Sequence, residues 1–192
     1  MTPTRPVLAG TLLWLLVAIV LGASGALRGL PPSTLVVLVA SLVIVLLVAS
    51  WTVAPLRRFA HEADLRLLAG FHLLRFVGLH FVILGARGLL PELFVVAAGY
   101  GNLAVAILAL LLLAFLPPGS PRARPWWLGW NLVGLLVALT VGIVVLAIGR
   151  GLPDPVLRVL PLSLLPSFIA PIAVATHVWM LLRLGIEDTA GL

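Results

Sequence analysis

The chain contains no cysteine, which excludes disulfides, thiolate metal sites and cysteine nucleophiles. It contains no lysine either. All twelve basic side chains are arginine, which we read as the codon usage of a GC-rich bacterial genome and not as chemistry. Charge of either sign is scarce. Only 9% of the 192 residues are charged, against ~25% in a soluble domain. What fills the chain instead is apolar: 62% of residues are hydrophobic and the mean hydropathy is +1.26. This composition describes a polytopic membrane protein in which no connector is long enough to fold as a separate soluble domain. The net charge of +6 and pI near 11.7 would suggest nucleic acid in a soluble protein. Here the arginines are spread along the chain, mostly at the ends of apolar segments, as membrane topology requires. The partner is therefore the lipid bilayer and not nucleic acid.

A membrane span needs ~20 mostly apolar residues. Six segments qualify: Val7–Leu27, Thr34–Ala54, Leu65–Ala86, Leu93–Leu116, Trp126–Ile148 and Val159–Leu182. The expected fold is an all-α integral membrane protein of six transmembrane helices, forming one transmembrane domain over residues 1–192. The first segment is long for a signal peptide and five spans follow it, so it reads as a retained span. Seven arginines (Arg5, Arg57, Arg58, Arg66, Arg122, Arg124, Arg183) fall on one side and four (Arg28, Arg87, Arg150, Arg158) on the other. The positive-inside rule then places both termini in the cytoplasm of a bacterium, across its inner membrane. Residues Arg57–Arg66 read as a short amphipathic stretch on the inner surface. Three outer connectors share a phrase, Arg28-Gly-Leu-Pro-Pro, Arg87-Gly-Leu-Leu-Pro and Arg150-Gly-Leu-Pro, at intervals of 59 and 63 residues. The period fits three helical hairpins of similar length. Gly and Pro are also simply what tight turns use, so both readings stay open.

Arg75 is the residue that asks for a function. A guanidinium near the middle of a span costs several kcal/mol or more and normally faces a protein interior with a partner. The apolar segments offer no carboxylate, so the partner must be backbone carbonyls, water, a bound anion, a cofactor carboxylate or another protein. At ~100° per residue, His72, Arg75 and His80 share an arc of about 140°. His72 and His177 lie at matching depth, roughly 9–10 Å from the inner end of their spans. The polar residues thus sort into an inner layer of His72, His177 and Asn131 and an outer layer of His80, Tyr100 and Asn102, with Arg75 between them. Each also has an ordinary reading. A lone membrane histidine more often bonds a backbone carbonyl than a ligand. Asn131 follows Trp126, Trp127 and Trp130 and reads first as part of the interfacial aromatic belt. Trp51 and Trp179 read as interfacial anchors. The small-residue stripes Ala18/Gly22/Ala26 and Gly134/Ala138/Gly142 read as helix packing. Pro161, Pro166 and Pro171 should kink span six, and the carbonyls they free are candidate partners for Arg75.

Two stretches resemble small multi-span bacterial membrane proteins of uncharacterised function. The first contains Arg75-x-x-Gly78, Gly88-Leu-Leu-Pro91 and Ala98-Gly-Tyr-Gly-Asn102; the second contains Pro166-x-x-x-x-Pro171, His177 and Arg183. Together they cover about a third of the chain. The resemblance implies no activity. Asn102 stands where those proteins are expected to carry Asp, which weighs against a proton-carrying role at that position.

The leading functional expectation is binding or transport of a small anionic or carboxylate-bearing ligand by Arg75, His72, His80, His177, Tyr100 and Asn102. A second is a b-type haem electron carrier with His72 and His177 as axial ligands, although His80 alone would remain for a second haem. A third is a structural or assembly subunit, in which Arg75 pairs with a carboxylate of a membrane partner or a second copy. An enzyme is not expected. HExxH, GxSxG and paired carboxylates are absent from the sequence, and Ser163 and Ser167 with His177 would lack an acid.

Overall fold

The structure, a computed structural model, describes residues 5–149 and 156–189, with side chains to residue 185. Six helices are long and apolar enough to cross a membrane: Arg5–Ser24, Pro32–Thr52, Leu65–Ala86, Glu92–Phe115, Arg124–Ile148 and Leu165–Gly185. The chain is an all-α membrane protein with these as spans one to six. Between spans two and three lies the short helix Ala54–Glu62. It carries Arg57, Arg58, His61 and Glu62 exposed, and buries Ala60.

Local sequence explains the boundaries. Pro32 opens span two and Pro125 sits in the first turn of span five, where a missing N–H costs nothing because no intrahelical partner exists there. Asp64 caps span three, its Oδ1 accepting from the Arg66 backbone N–H at 2.8 Å. Arginines at the start of one span bond carbonyls of another. Arg66 Nη2 donates to the Leu113 carbonyl at 2.9 Å, in the last turn of the helix Gly101–Phe115. Arg124 Nη2 donates to the Leu184 carbonyl at 2.7 Å, inside the helix Ala170–Thr189.

The turns joining spans one and two and spans three and four are built differently. The left-handed residue is Gly25 in the first (φ 75°), ahead of the shared phrase, and Gly88 within the phrase in the second (φ 69°). The shared wording is therefore turn composition and not a shared turn geometry; Arg150 and its Gly-Leu-Pro lie outside the described residues. Span one packs on the Ala54–Glu62 helix and on the start of span six, while span two packs on spans five and six.

Three spans depart from regular α-helix. Span three contains a 3-10 segment, His72–Val77. Spans four and six contain π segments, Val95–Tyr100 and Leu165–Ile169. Span six begins at Leu165 and not at Val159, with turns over the preceding residues. Pro166 then falls in the first turn, and Pro171 is the second residue after the π segment. A proline ring clashes with the carbonyl four residues back and leaves it without its donor. For Pro171 that carbonyl belongs to Ser167, and the Trp14 indole of span one donates to it at 2.9 Å.

The interior has two large apolar clusters besides a small one of Ala60, Ala175 and Trp179. One, at the end carrying the Ala54–Glu62 helix, joins Leu68, Val105, Ala109, Trp127 and Met180. The other joins Phe81, Phe94, Ala98, Val144 and Val145. The buried polar residues of spans three, five and six lie between them.

Candidate functional site

His72 and His177 meet. Both are fully buried, and their ring centres lie 3.9 Å apart at 39°. Trp130 stands edge-on to both, 5.0 Å from each ring centre. Its indole donates to the Val105 carbonyl at 3.0 Å, which fixes the ring against span four.

Hydrogen bonding assigns the tautomers. Asn131 Nδ2 donates to the Trp127 carbonyl at 2.8 Å, so its Oδ1 is the atom facing His177 Nδ1 at 2.9 Å. His177 Nδ1 therefore carries a proton and donates it. Thr176 Oγ1 has one hydrogen, directed at the Ile172 and Ala173 carbonyls at 2.9 and 3.0 Å. It consequently accepts from His72 Nε2 at 3.1 Å. In a neutral imidazole the remaining nitrogen is an acceptor. His72 Nδ1 and His177 Nε2 are both enclosed and unpartnered. Leaving such a group unsatisfied costs about 1–3 kcal/mol, so two side by side single out this place in the fold.

Arg75 is 6% exposed. Its Nη1 donates to Asn102 Oδ1 at 3.3 Å and to the Gly134 carbonyl at 3.5 Å. Both distances exceed the usual range of ~2.7–3.2 Å, and both acceptors are neutral. A guanidinium has five N–H donors; among the described residues only Nη1 is engaged. Arg75 turns inward, as expected, and reaches Asn102 of span four. The expected carbonyls of span six are not its partners: Trp14 takes the one freed by Pro171, and the Leu165 N–H takes Leu162 O, the one freed by Pro166. Span five supplies the carbonyl instead.

Two glycines make this arrangement possible. A Cβ on Gly134 would overlap the His177 imidazole, and a Cβ on Gly78 would overlap the Gly99 carbonyl. The first lets span five approach His177 while its carbonyl meets Arg75. The second lets spans three and four cross closely enough for Asn102 to reach Arg75.

The outer layer does not assemble. His80 is exposed and Tyr100 is 55% exposed; only Asn102 turns inward. The 3-10 segment explains His80. In 3-10 geometry residues three apart eclipse, which aligns His72 with Arg75. Two further 3-10 steps and three α steps then carry His80 roughly 180° from Arg75. Tyr100 and Asn102 are two residues apart, roughly 200° on a helix, and so face opposite ways.

Other placements differ as well. Asn131 is fully buried on His177, and Trp127 and Trp130 are buried beside it, while Trp126 is 65% exposed. Trp179 is no anchor: it is buried and donates to Ser50 Oγ at 3.1 Å. Trp51 is exposed as expected. Thr176, Trp130 and Gly134 were not singled out as site residues from the sequence. The only signal was Gly134 in a small-residue stripe and Thr176 beside His177.

The arrangement does not fit a bis-histidine haem. Metal–imidazole bonds are ~2 Å long, so an iron between the rings would hold them well apart, whereas these rings touch. Among the described residues no group of three or more His, Cys, Asp or Glu is gathered that would hold a metal ion. What the site can do is donate from Arg75 to an anionic group and accept protons at two imidazole nitrogens.

No curated protein and no solved structure matches the chain. A family model matches residues 32–185, so every residue of the histidine–arginine cluster falls within the match and span one outside it. The chain belongs to the family described as a domain of unknown function, DUF8737.

Proposed function

We propose that the chain binds a small anion, or a small carboxylate-bearing ligand, at Arg75 within the membrane, as part of a binding or transport protein. The observation that carries this reading is the buried guanidinium with two long hydrogen bonds to neutral acceptors and no further partner among the described residues. A buried charge is tolerated when paired, and an anion would supply the pairing. The bare nitrogens of His72 and His177 support a ligand that also carries a donor, or an anion that travels with a proton; histidine is the side chain suited to such coupling. The π segment and prolines of span six offer the movable part, since such bulges break the regular ladder.

In this reading the protein sits in a bacterial inner membrane with both termini cytoplasmic, because the arginine excess lies on that side. The low exposure of Arg75 favours a diffusible ligand over a carboxylate on another chain, which would have to reach through the bundle. Trp130 touches both imidazoles, so its fluorescence reports on occupancy. Purified protein titrated with acetate, lactate, phosphate and chloride should show a saturable change with at least one of them, absent in Trp130→Phe and in Arg75→Gln. No saturable change with any of the four, or an unchanged response in Arg75→Gln, overturns the reading.

A further inference from the structure

A cavity of about 670 Å³ lies between span one and spans three and six, at the end that carries the Ala54–Glu62 helix. Span one touches the Ala54–Glu62 helix and, in its other half, is fastened to the start of span six. Gly22 lies against Ser163 and Leu160, and Trp14 packs edge-on to Phe168, 5.3 Å between ring centres, while donating to the Ser167 carbonyl. Nearer Arg5, span one stands away from span three. Gly10 of span one and Gly70 and Phe71 of span three line opposite walls, Leu56 and Phe59 of the short helix close the base, and Thr176 lies at the wall formed by span six.

We propose that this cleft holds an acyl chain of one anionic glycerophospholipid, with its headgroup on Arg66. The inference is independent of the anion reading at Arg75. The walls are apolar apart from Thr11, Arg66 and Thr176, which suits a hydrocarbon chain. The gap lies between two spans, so a lipid enters from the bilayer without crossing water. The charge at the mouth selects the headgroup. Arg66 lines the cleft and is exposed, and the exposed Arg5 precedes the lining residue Pro6. The carboxylate nearest to Arg66 in sequence, Asp64, is engaged in capping span three. Arg66 spends Nη2 on the Leu113 carbonyl; its other donors remain for a phosphate oxygen, which guanidinium binds with directional, charge-assisted hydrogen bonds. The chain reaches Thr176, whose hydroxyl accepts from His72, so an occupant here also braces the histidine pair.

Gly10 and Gly70 provide the test, because a Cβ on either meets nothing within 4 Å. A side chain added there fills the cleft without displacing a neighbour. The full-length protein, purified from bilayers of equal phosphatidylglycerol and phosphatidylcholine and washed in detergent, is analysed by native mass spectrometry. One retained phosphatidylglycerol per chain is expected, favoured at least tenfold over phosphatidylcholine. Gly70→Phe and Gly10→Phe should each remove it, on separate helices, so that one variant decides if the other fails to fold. Arg66→Gln should reduce the headgroup preference several-fold while the protein still retains lipid. Equal retention of the two lipids, or retention of phosphatidylglycerol unchanged in the folded glycine variants, overturns the proposal.

Discussion

Gly134 presents a bare Cα to the imidazole of His177, so close that a Cβ would overlap Nε2 and Cε1. The same residue's carbonyl accepts from Arg75. One glycine therefore sets the distance between spans five and six and also anchors the buried charge of span three.

Gly134→Ala should destabilise the protein. In an ordinary helix interior the change from Gly to Ala is favourable by about 1 kcal/mol. Here the added methyl must push His177 off Trp130 and His72, and overpacking of this kind costs about 1–3 kcal/mol. Thermal unfolding in detergent should show a lowered midpoint; a raised midpoint would mean that span five has room to retreat and that the contact is loose.

Arg75→Leu should insert and fold at least as well as the natural chain, because replacing a buried charge by an apolar residue of similar reach is often neutral or stabilising. The anion response of Trp130 should fall by tenfold or more. Expression level, unfolding midpoint and the titration are read on the same preparation. Loss of folding together with loss of binding would instead make Arg75 structural, held by Asn102 and Gly134 for the bundle's sake.

His80→Ala and Tyr100→Phe should leave both stability and anion response unchanged, with stability within about 0.5 kcal/mol as for surface positions generally. Both side chains lie on outward faces. A tenfold loss of response in either variant would show that the 3-10 register of His72–Val77, or the π register of Val95–Tyr100, is not the functional one.

The orientation is checked by fusing a periplasm-active phosphatase to the C-terminus. It should be inactive, and the same reporter inserted in the Arg87–Pro91 turn should be active. The reverse pattern would place the Arg57/Arg58 and Arg122/Arg124 connectors outside the cell.

Much of this was legible in the chain itself. Six spans follow from the lengths of apolar runs, and their ends from Pro, Gly and Arg, because length and punctuation are local properties. The equal depth of His72 and His177 also follows from counting residues at a fixed rise. Arg75 stood out because a mid-span guanidinium is costly wherever it points.

Direction around each helix was a different matter. Azimuth accumulates along the backbone, so six residues of 3-10 geometry were enough to align His72 with Arg75 and to turn His80 away. No side-chain pattern in Leu65–Ala86 announces that change of pitch. Whether a tryptophan anchors in the interface or packs inside likewise depends on what stands opposite: Trp179 is buried because Ser50 of span two offers its indole an acceptor, while Trp126 and Trp127, adjacent in sequence, separate to 65% and 0% exposure. The sequence alone determined how many helices are long and apolar enough to cross and at what relative depth the polar groups lie, while the start of span six moved from Val159 to Leu165. Only the tertiary structure decided which of those groups meet, because Gly134, Thr176 and Asn131 acquire their roles from a histidine on another span that packing brings to them.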